Sequence, residues 1–220
     1  MTGAHVRKVV SPGSVRTASR LALAAALAAA SMTASASGLD QLRRFLDTTR
    51  SARADFEQTV SAKPGRAPQS ASGTMAFSRP GRFRWVYRVP YDQVIVGDGE
   101  KLWIYDRELA QVTVRTLDRA LGSSPAALLA GDNALERGFV LAEGGSSDTL
   151  EWVEATPRNA EAGYERIRIG LRAAVPAVME LRDNFGRSTT LRFSRFERNP
   201  ALDASQFRFV PPAGADVIGE

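Results

Sequence analysis

Four carboxylates, Asp92, Asp98, Asp106 and Glu108, are candidates for acid–base chemistry in this 220-residue sequence. Two carboxylates on either side of a glycosidic bond can hydrolyse it. Each of these four lies at a predicted turn or strand end, where an acidic side chain is ordinarily solvated. A glycoside-acting enzyme is therefore an alternative that rests only on the presence of these residues.

Other common catalytic groups are missing from the composition. The only histidine is His5, which lies in a segment that we expect to be removed, and there is no cysteine. A Ser-His-Asp or Cys-His arrangement therefore cannot form in the mature chain, nor can a zinc or copper site made of His and Cys. The sequence also has no phosphate-binding G-x-x-x-x-G-K-[ST] loop. We predict that the protein is not an enzyme and holds no cofactor or metal.

The first 36 residues have the order of features found in a secretory leader. Four basic residues and no acidic residue precede the apolar run Leu21–Ala30; they are Arg7, Lys8, Arg16 and Arg20. Ala34 and Ala36 follow at the small-x-small spacing that a signal peptidase reads. The apolar run is too short to anchor the chain in a bilayer. We therefore predict a cleaved signal peptide over residues 1–36 and one exported domain over residues 37–220.

The net charge changes once this leader is set aside. Removing its four basic residues lowers the formal charge from +5 to +1. The remaining arginines alternate with other residues along predicted strands instead of forming a cluster. Nucleic-acid binding needs clustered positive charge, so we predict no nucleic-acid partner.

Two helices are predicted around a large sheet. Leu39, Leu42 and Leu46 recur at helical spacing after a capping residue, Ser37, and predict a helix over Leu39–Ser51. A second, short helix is predicted at Pro125–Ala130, with Ser124 as its N-cap and Gly131 beyond its end.

The rest of the mature chain shows the period-two alternation of strands, broken by glycine and proline. The predicted strands are Ala54–Ser61, Ser72–Arg79, Arg82–Val89, Gln93–Gly97, Lys101–Tyr105, Gln111–Thr116, Phe139–Glu143, Thr149–Glu154, Tyr164–Leu171, Ala177–Asn184 and Ser188–Arg198. They follow one another almost without intervening helices, which indicates an antiparallel sheet. About eleven strands predict a mainly β fold with a strongly curved, open sheet, and the two helices are available to cover its concave face.

The stretch "SRPGRFRWVYRVP" shows the alternation most clearly. Phe83 and Trp85 share one parity, whereas Arg82, Arg84 and Arg88 share the other, which predicts one apolar face and one solvated, charged face. The pattern fits a core under a helix and equally a surface that binds an apolar ligand.

Four segments at matching spacings resemble the LolA family of outer-membrane lipoprotein carrier proteins. They are "SRPGRFRWVY", "VGDGEKLWIYDRELAQV", "SSPAALLA" and "FRFVPPAGADV". The resemblance implies an incomplete β-barrel with a helical lid over a hydrophobic cavity. It also implies a soluble periplasmic protein, which we expect to be monomeric. Such a protein takes lipoproteins from an ATP-driven inner-membrane exporter and passes them to an outer-membrane receptor.

The resemblance assigns a role to the arginine of the family's Arg-Pro motif, which matches Arg79. In the family this side chain hydrogen-bonds the lid backbone and holds the empty cavity closed. The matching lid positions are Leu129 and Ala130, together with Leu46 on the first helix. A surface arginine beside a turn is the interpretation that the residue pattern alone would favour.

The family resemblance also implies that Phe83 and Trp85 line the acyl cavity. Parity and proximity extend the predicted lining to Met75, Phe77 and Leu128. Two other kinds of protein share this fold type. The receptor of the same pathway requires a lipidated cysteine, which this chain lacks, whereas a periplasmic lipid-binding or regulatory module stays open as an alternative.

Overall fold

The computed structural model describes residues 1–3, 36–61, 67–117, 129–130, 134–159 and 163–219. The chain divides into two units, Met1–Ser35 and Ala36–Glu220, and the elements below belong to the second. In chain order they are α1 (Gly38–Thr48), β1 (Ser51–Ser61), β2 (Gln69–Ser78), β3 (Arg82–Val89), β4 (Gln93–Asp98), β5 (Lys101–Asp106), β6 (Gln111–Thr116), α2 (Ala134–Gly138), β7 (Phe139–Ser147), β8 (Leu150–Pro157), β9 (Tyr164–Arg172), β10 (Val175–Asp183), β11 (Ser188–Arg198), a 3₁₀ helix (Ala204–Phe207) and β12 (Asp216–Gly219).

The twelve strands form one sheet in the order β12-β6-β5-β4-β3-β2-β1-β11-β10-β9-β8-β7. The predicted mainly β fold and its large antiparallel sheet are confirmed. One pairing differs from the prediction, because the unpredicted strand β12 runs parallel to β6, with Asp216 opposite Gln111. β12 and β7 lie at the two ends of this order, so the sheet of the described residues stays open, as in an incomplete barrel.

The first predicted strand and helix have different limits in the structure. α1 ends at Thr48 instead of Ser51, because Thr49 already has extended backbone angles (φ −109°, ψ 108°). β1 consequently begins at Ser51, which pairs with Ser78 of β2, and not at Ala54. Of the predicted helix Pro125–Ala130, only Leu129 and Ala130 are described, and both have helical backbone.

The N-terminal end of α1 is fixed to the sheet by hydrogen bonds. Ser37 Oγ accepts from the Asp40 backbone N–H at 3.2 Å, which confirms the predicted cap. The Glu143 carboxylate of β7 accepts from the backbone N–H groups of Gly38 (3.0 Å) and Leu39 (3.3 Å). A carboxylate at this end also complements the helix dipole. A Cβ on Gly38 would lie 2.5 Å from the Trp152 carbonyl oxygen, so glycine permits this close approach.

The apolar side of α1 covers one face of the sheet, which we call the inner face. Leu42 and Phe45 of α1 are buried in the same cluster as Phe56, Phe83 and Met179 of the strands. Helical spacing on α1 and period-two alternation on the strands therefore bring apolar side chains to one core. In the described part of the chain, no helix is both long and apolar enough to span a bilayer.

The opposite, outer face carries a second cover formed by the segment around the 3₁₀ helix. Phe207 is fully buried, and the Phe209 ring lies 5.6 Å from that of Trp103. Arg84 donates to the Gln206 carbonyl oxygen at 3.2 Å, and burial, helped by nearby Arg107, lowers the pKa of Arg84. Arg84 is therefore only partly exposed and not fully solvated as predicted, because this C-terminal segment packs beside it.

Candidate functional site

The turn between β2 and β3 places Arg79 at the end of α1. The Arg79 backbone N–H donates to the Arg50 carbonyl at 2.8 Å, just beyond the helix. Gly81 takes a positive φ of +67°, which glycine adopts without strain, and its N–H donates to the Ala130 carbonyl at 3.0 Å. The Arg-Pro-Gly sequence thereby joins the sheet to both predicted lid segments through the backbone alone.

The Arg79 guanidinium adds four hydrogen bonds to these contacts. Nη1 donates to the carbonyl oxygens of Leu46 and Thr49, both at 2.8 Å. Nε and Nη2 donate to the Leu129 carbonyl at 3.2 and 3.0 Å. The Arg79 side chain, just after the end of β2, therefore binds the C-terminal end of α1 and the Leu129 segment at the same time.

The chemistry of a helix end explains why these carbonyls accept from arginine. The last carbonyls of an α-helix have no intrahelical N–H partner, and they carry the negative end of the helix dipole. The planar guanidinium presents several donors in a fixed geometry, which suits carbonyls from two segments. It also lies 5.1 Å from the centre of the Phe45 ring and 5.2 Å from that of Phe77, distances at which cation–π attraction operates.

Asn199 also binds the C-terminal end of α1, although it was not among the predicted site residues. Its Nδ2 donates to the Thr48 carbonyl at 2.8 Å, and its Oδ1 accepts from the Arg50 N–H at 2.7 Å. The residue has a φ of +54°, a conformation in which asparagine is enriched. Its position after β11 and before Pro200 was the available signal.

The described residues predicted to line the cavity (Met75, Phe77, Phe83 and Trp85) are buried together with the predicted lid residues Leu129 and Ala130. Their exposed fractions are 4% (Met75), 1% (Phe77), 1% (Phe83), 3% (Trp85), 1% (Leu129) and 0% (Ala130), and all six belong to one apolar cluster. Leu46 packs against this cluster and is partly buried. Leu128 lies outside the described residues. The structure thus brings the described members together, while their role towards a ligand stays a prediction.

Aromatic rings continue from this cluster across the inner face. We call Phe45, Phe196, Phe193, Trp85, Phe56, Tyr87 and Tyr91 the aromatic series. Successive ring centroids are 6.0, 6.2, 6.2, 4.6, 5.1 and 5.2 Å apart. Phe56, Phe193 and Phe196 were not among the predicted lining residues. Phe56 lies opposite Phe193 only because β1 pairs with β11, which is distant in the chain.

Tyr87 of this series and the nearby Tyr164 are neutral. Burial, with smaller contributions from Tyr91 and Tyr164, raises the pKa of Tyr87 far above its usual value. Burial, followed by the charge of Asp183, raises the pKa of Tyr164 to about 12. Both side chains therefore keep their hydroxyl protons at neutral pH and can donate or accept a hydrogen bond.

Three of the four candidate catalytic carboxylates have structural partners, and the fourth, Glu108, is an exposed residue of a turn. Asp92 pairs with Arg107 at 3.1 Å, and Asp106 accepts from the Leu109 N–H at 3.1 Å. Asp98 accepts from the Trp103 indole at 2.7 Å. Within the described residues, no three His, Cys, Asp or Glu side chains form a group that could hold a metal ion.

An open cleft on the outer face has a different character. Its volume is about 490 Å³, and four arginines and two carboxylates contribute to its lining: Arg53, Arg84, Arg88, Arg195, Asp55 and Glu197. Burying charged groups against hydrocarbon is costly. The inner face, and not this cleft, is therefore the candidate site for an apolar ligand.

Comparison with known sequences identifies the family. The family model described as "Outer membrane lipoprotein carrier protein LolA" matches residues 47–210, more than half of the chain. The chain belongs to the LolA family. An outer-membrane lipoprotein carrier protein from Dechloromonas aromatica is 52% identical over 187 residues, covering 85% of this chain and 90% of that protein. The corresponding protein of Nitrosospira multiformis is 53% identical over 189 residues, with coverages of 86% and 91%.

Solved structures support the same fold. A LolA superfamily protein from Nitrosomonas europaea has a TM-score of 0.50 at 13% identity and covers 79% of this chain and 99% of its own. An uncharacterised conserved protein from Thermus thermophilus has a TM-score of 0.51 at 13% identity, with coverages of 82% and 95%. At these identities the likeness concerns the fold alone. The LolA family assignment itself rests on the sequence matches.

Proposed function

We propose that this LolA-family chain carries lipoproteins through the periplasm by enclosing their acyl chains between the inner face and α1. The observation that carries the proposal is the set of Arg79 hydrogen bonds, which join α1 and Leu129 to the sheet directly over the apolar cluster. The curated relatives at about half identity are named as outer-membrane lipoprotein carrier proteins.

The proposal is consistent with the energetics of acyl chains in water. Removing one CH₂ group from water stabilises by about 0.8 kcal/mol, so a sixteen-carbon chain left in water costs on the order of 12 kcal/mol. A carrier therefore needs a large apolar surface that is itself shielded when cargo is absent. In the present arrangement α1 packs on the inner face, and Phe45 of α1 is fully buried there.

Reversible closure supplies a means of release. Cargo must displace α1, and this breaks the hydrogen bonds between Arg79 and the carbonyls of Leu46, Thr49 and Leu129. The cost of opening offsets part of the gain from acyl burial. Binding is then strong enough to hold cargo in water and weak enough to pass it to an acceptor with a more apolar site.

The remaining parts of the proposal concern location and partners. Residues 1–36 are a cleaved signal peptide, and residues 37–220 form the exported carrier domain. The domain acts as a monomer without catalysing a reaction. An inner-membrane ABC exporter loads it, and an outer-membrane lipoprotein receptor unloads it. The basic, apolar and small order of the leader and the LolA-family membership support these statements.

The test is recovery of cargo from the periplasm. The full chain is expressed in a Gram-negative host and purified without detergent, and co-purifying molecules are identified by mass spectrometry. We expect acylated lipoproteins with the native chain and a strong loss with Phe83→Glu, because this charge would face the acyl chains. Val86→Glu is the matched control, since Val86 lies in the same strand on the other face.

Circular dichroism establishes that both variants are folded. Equal cargo recovery with Phe83→Glu and Val86→Glu would show that the inner face is only a core. Recovery of free lipids without any lipoprotein would favour a periplasmic lipid-binding or regulatory module instead.

A further inference from the structure

A buried hydrogen-bond donor at the centre of the inner face has no acceptor in the described structure. The Trp85 side chain is only 3% exposed, and its Nε1–H meets no hydrogen-bond partner among the described residues. The other two tryptophans of the chain differ in this respect. Trp103 Nε1 donates to Asp98 Oδ2 at 2.7 Å, and Trp152 Nε1 donates to Ser147 Oγ at 3.0 Å.

An unpaired donor is unusual in this setting. Buried polar groups in proteins are nearly always hydrogen-bonded, and each exception calls for an explanation such as a ligand. Phenylalanine would fill an apolar inner face without this cost. The indole N–H of Trp85 therefore indicates that a group outside the described residues supplies the acceptor.

Polar groups lie beside Trp85 on one side of the aromatic series. The Tyr87 hydroxyl donates to Gln58 Oε1 at 2.9 Å. Burial is the main cause of the raised pKa of Tyr87, and an interaction with the Trp85 indole acts to lower this pKa, so the Tyr87 hydroxyl and the indole N–H are neighbours. The distance and angles between these two groups nevertheless do not meet hydrogen-bond geometry. On the other side of Trp85 the series continues through Phe193 and Phe196, which have no polar atoms in their side chains.

We propose that Trp85 Nε1 donates a hydrogen bond to an ester carbonyl of the bound acylglyceryl group, with the Tyr87 hydroxyl as the neighbouring polar contact. This inference rests on the proposed carrier function and deepens it, because it names the chemical group that the site recognises. The indole N–H is a donor only, so it selects an acceptor such as a carbonyl oxygen.

The same chemistry discriminates against free fatty acids. Trp85, Tyr87 and Gln58 offer neutral partners, and an ionised carboxylate buried among neutral, apolar surroundings is strongly disfavoured. An ester carbonyl is neutral and needs only one donor. The subsite therefore favours chains that are esterified to glycerol over free acids of the same length.

The experiment compares two synthetic lipopeptides that differ only in this group. One carries two palmitoyl chains as esters on a glyceryl-cysteine, and the other carries two hexadecyl chains as ethers, which lack the carbonyls. We expect the native protein to bind the ester about fivefold to tenfold more tightly, the range expected for one neutral hydrogen bond. Trp85→Phe keeps most of the ring but removes the N–H, so it should bind both lipopeptides equally.

Trp152→Phe is the matched control, because it removes an indole whose N–H already has a partner in Ser147. This variant should keep the native preference for the ester. A native protein that binds both lipopeptides equally, or a Trp85→Phe variant that keeps the preference, would overturn the inference while leaving the carrier function intact. Failure of the native protein to bind either lipopeptide would overturn the carrier function as well.

A second measurement does not depend on the stability of Trp85→Phe. In the variant Trp103→Phe/Trp152→Phe, Trp85 provides the only indole signal in a ¹H–¹⁵N correlation spectrum. We expect this signal to shift downfield on addition of the ester lipopeptide, because its N–H gains an acceptor, and to shift much less with the ether. An equal shift with both ligands would contradict the proposed bond.

Discussion

Replacing Arg79 with leucine tests the central contact of the closed arrangement. The change removes all four hydrogen bonds from the guanidinium to the carbonyls of Leu46, Thr49 and Leu129. It also removes the positive group between the rings of Phe45 and Phe77. Leucine fills part of the volume but supplies no donor, so these carbonyls gain partners only by hydration when α1 moves away.

The expected magnitude follows from the number of segments that Arg79 joins. A hydrogen bond involving a charged group contributes roughly 1.5–3 kcal/mol. Counting one such bond for α1 and one for Leu129 gives about 3 kcal/mol as the lower estimate of the lost closing energy. If the open form binds cargo, its apparent Kd depends on the fraction of molecules that are open. A shift of about 3 kcal/mol corresponds to about 100-fold tighter apparent binding.

The assay measures the Kd for a fluorescent diacyl lipopeptide and the rate of its transfer to acceptor vesicles. We expect Arg79→Leu to bind the lipopeptide about 100-fold more tightly and to release it more slowly. Arg79→Lys should be intermediate, because an ammonium group lacks the fork that spans two segments.

Arg53→Leu is the matched control for loss of an arginine. Arg53 pairs with Glu197 at 2.6 Å on an exposed part of the sheet, and pairs of this kind contribute at most about 1 kcal/mol. This variant should bind and release the lipopeptide like the native protein. A folded Arg79→Leu variant with native Kd and transfer rate would refute the reasoning that these hydrogen bonds hold the site closed.

Two further predictions concern the strands that support the site. A Cβ on Gly97 would lie 2.4 Å from the Phe83 ring, so Gly97→Ala should lower the free energy of unfolding in urea by about 1–3 kcal/mol through overpacking; an unchanged midpoint would contradict this packing. Burial acts to raise the pKa of Asp98, but hydrogen bonds from Lys101, Trp103 and Glu100 together lower it. The pKa of Asp98 in the folded protein is below the unfolded value near 3.9. The stabilisation by ionised Asp98 is therefore present above about pH 4 and is lost as the pH falls through the folded pKa. In acid denaturation, the difference in free energy of unfolding between the native protein and Asp98→Asn should shrink over that range.

Local sequence patterns predicted much of the sheet. The limits of β3 (Arg82–Val89), β6 (Gln111–Thr116) and β11 (Ser188–Arg198) are the predicted ones, because each has clear alternation and is bounded by turn residues or a change of period. The start of β1 was misplaced, since "TTRS" fits the end of a helix as well as the start of a strand. β12 was missed because the four residues Asp216–Gly219 are too few for periodicity to show.

The outer face shows where alternation alone is insufficient. Arg84 has the parity of a solvated residue, and it does lie on the side opposite Phe83 and Trp85. The segment carrying Gln206 and Phe207 nevertheless covers part of it. A strand pattern distinguishes the two faces of a sheet, but it does not show which distant segment packs on either of them.

The sequence by itself determined the alternation of apolar and polar residues along each strand, the cap of α1 at Ser37 and the absence of cysteine. These features depend only on residue type and on near neighbours in the chain. The pairing of Arg79 with Leu46 and Leu129 was expected only from family resemblance, since 33 and 50 residues separate these partners. Tertiary structure alone decided that Asn199 binds the end of α1 and that the Trp85 N–H has no acceptor among the described residues. Hydrogen bonding between distant residues depends on where the whole sheet places each backbone carbonyl, and no local pattern specifies that position.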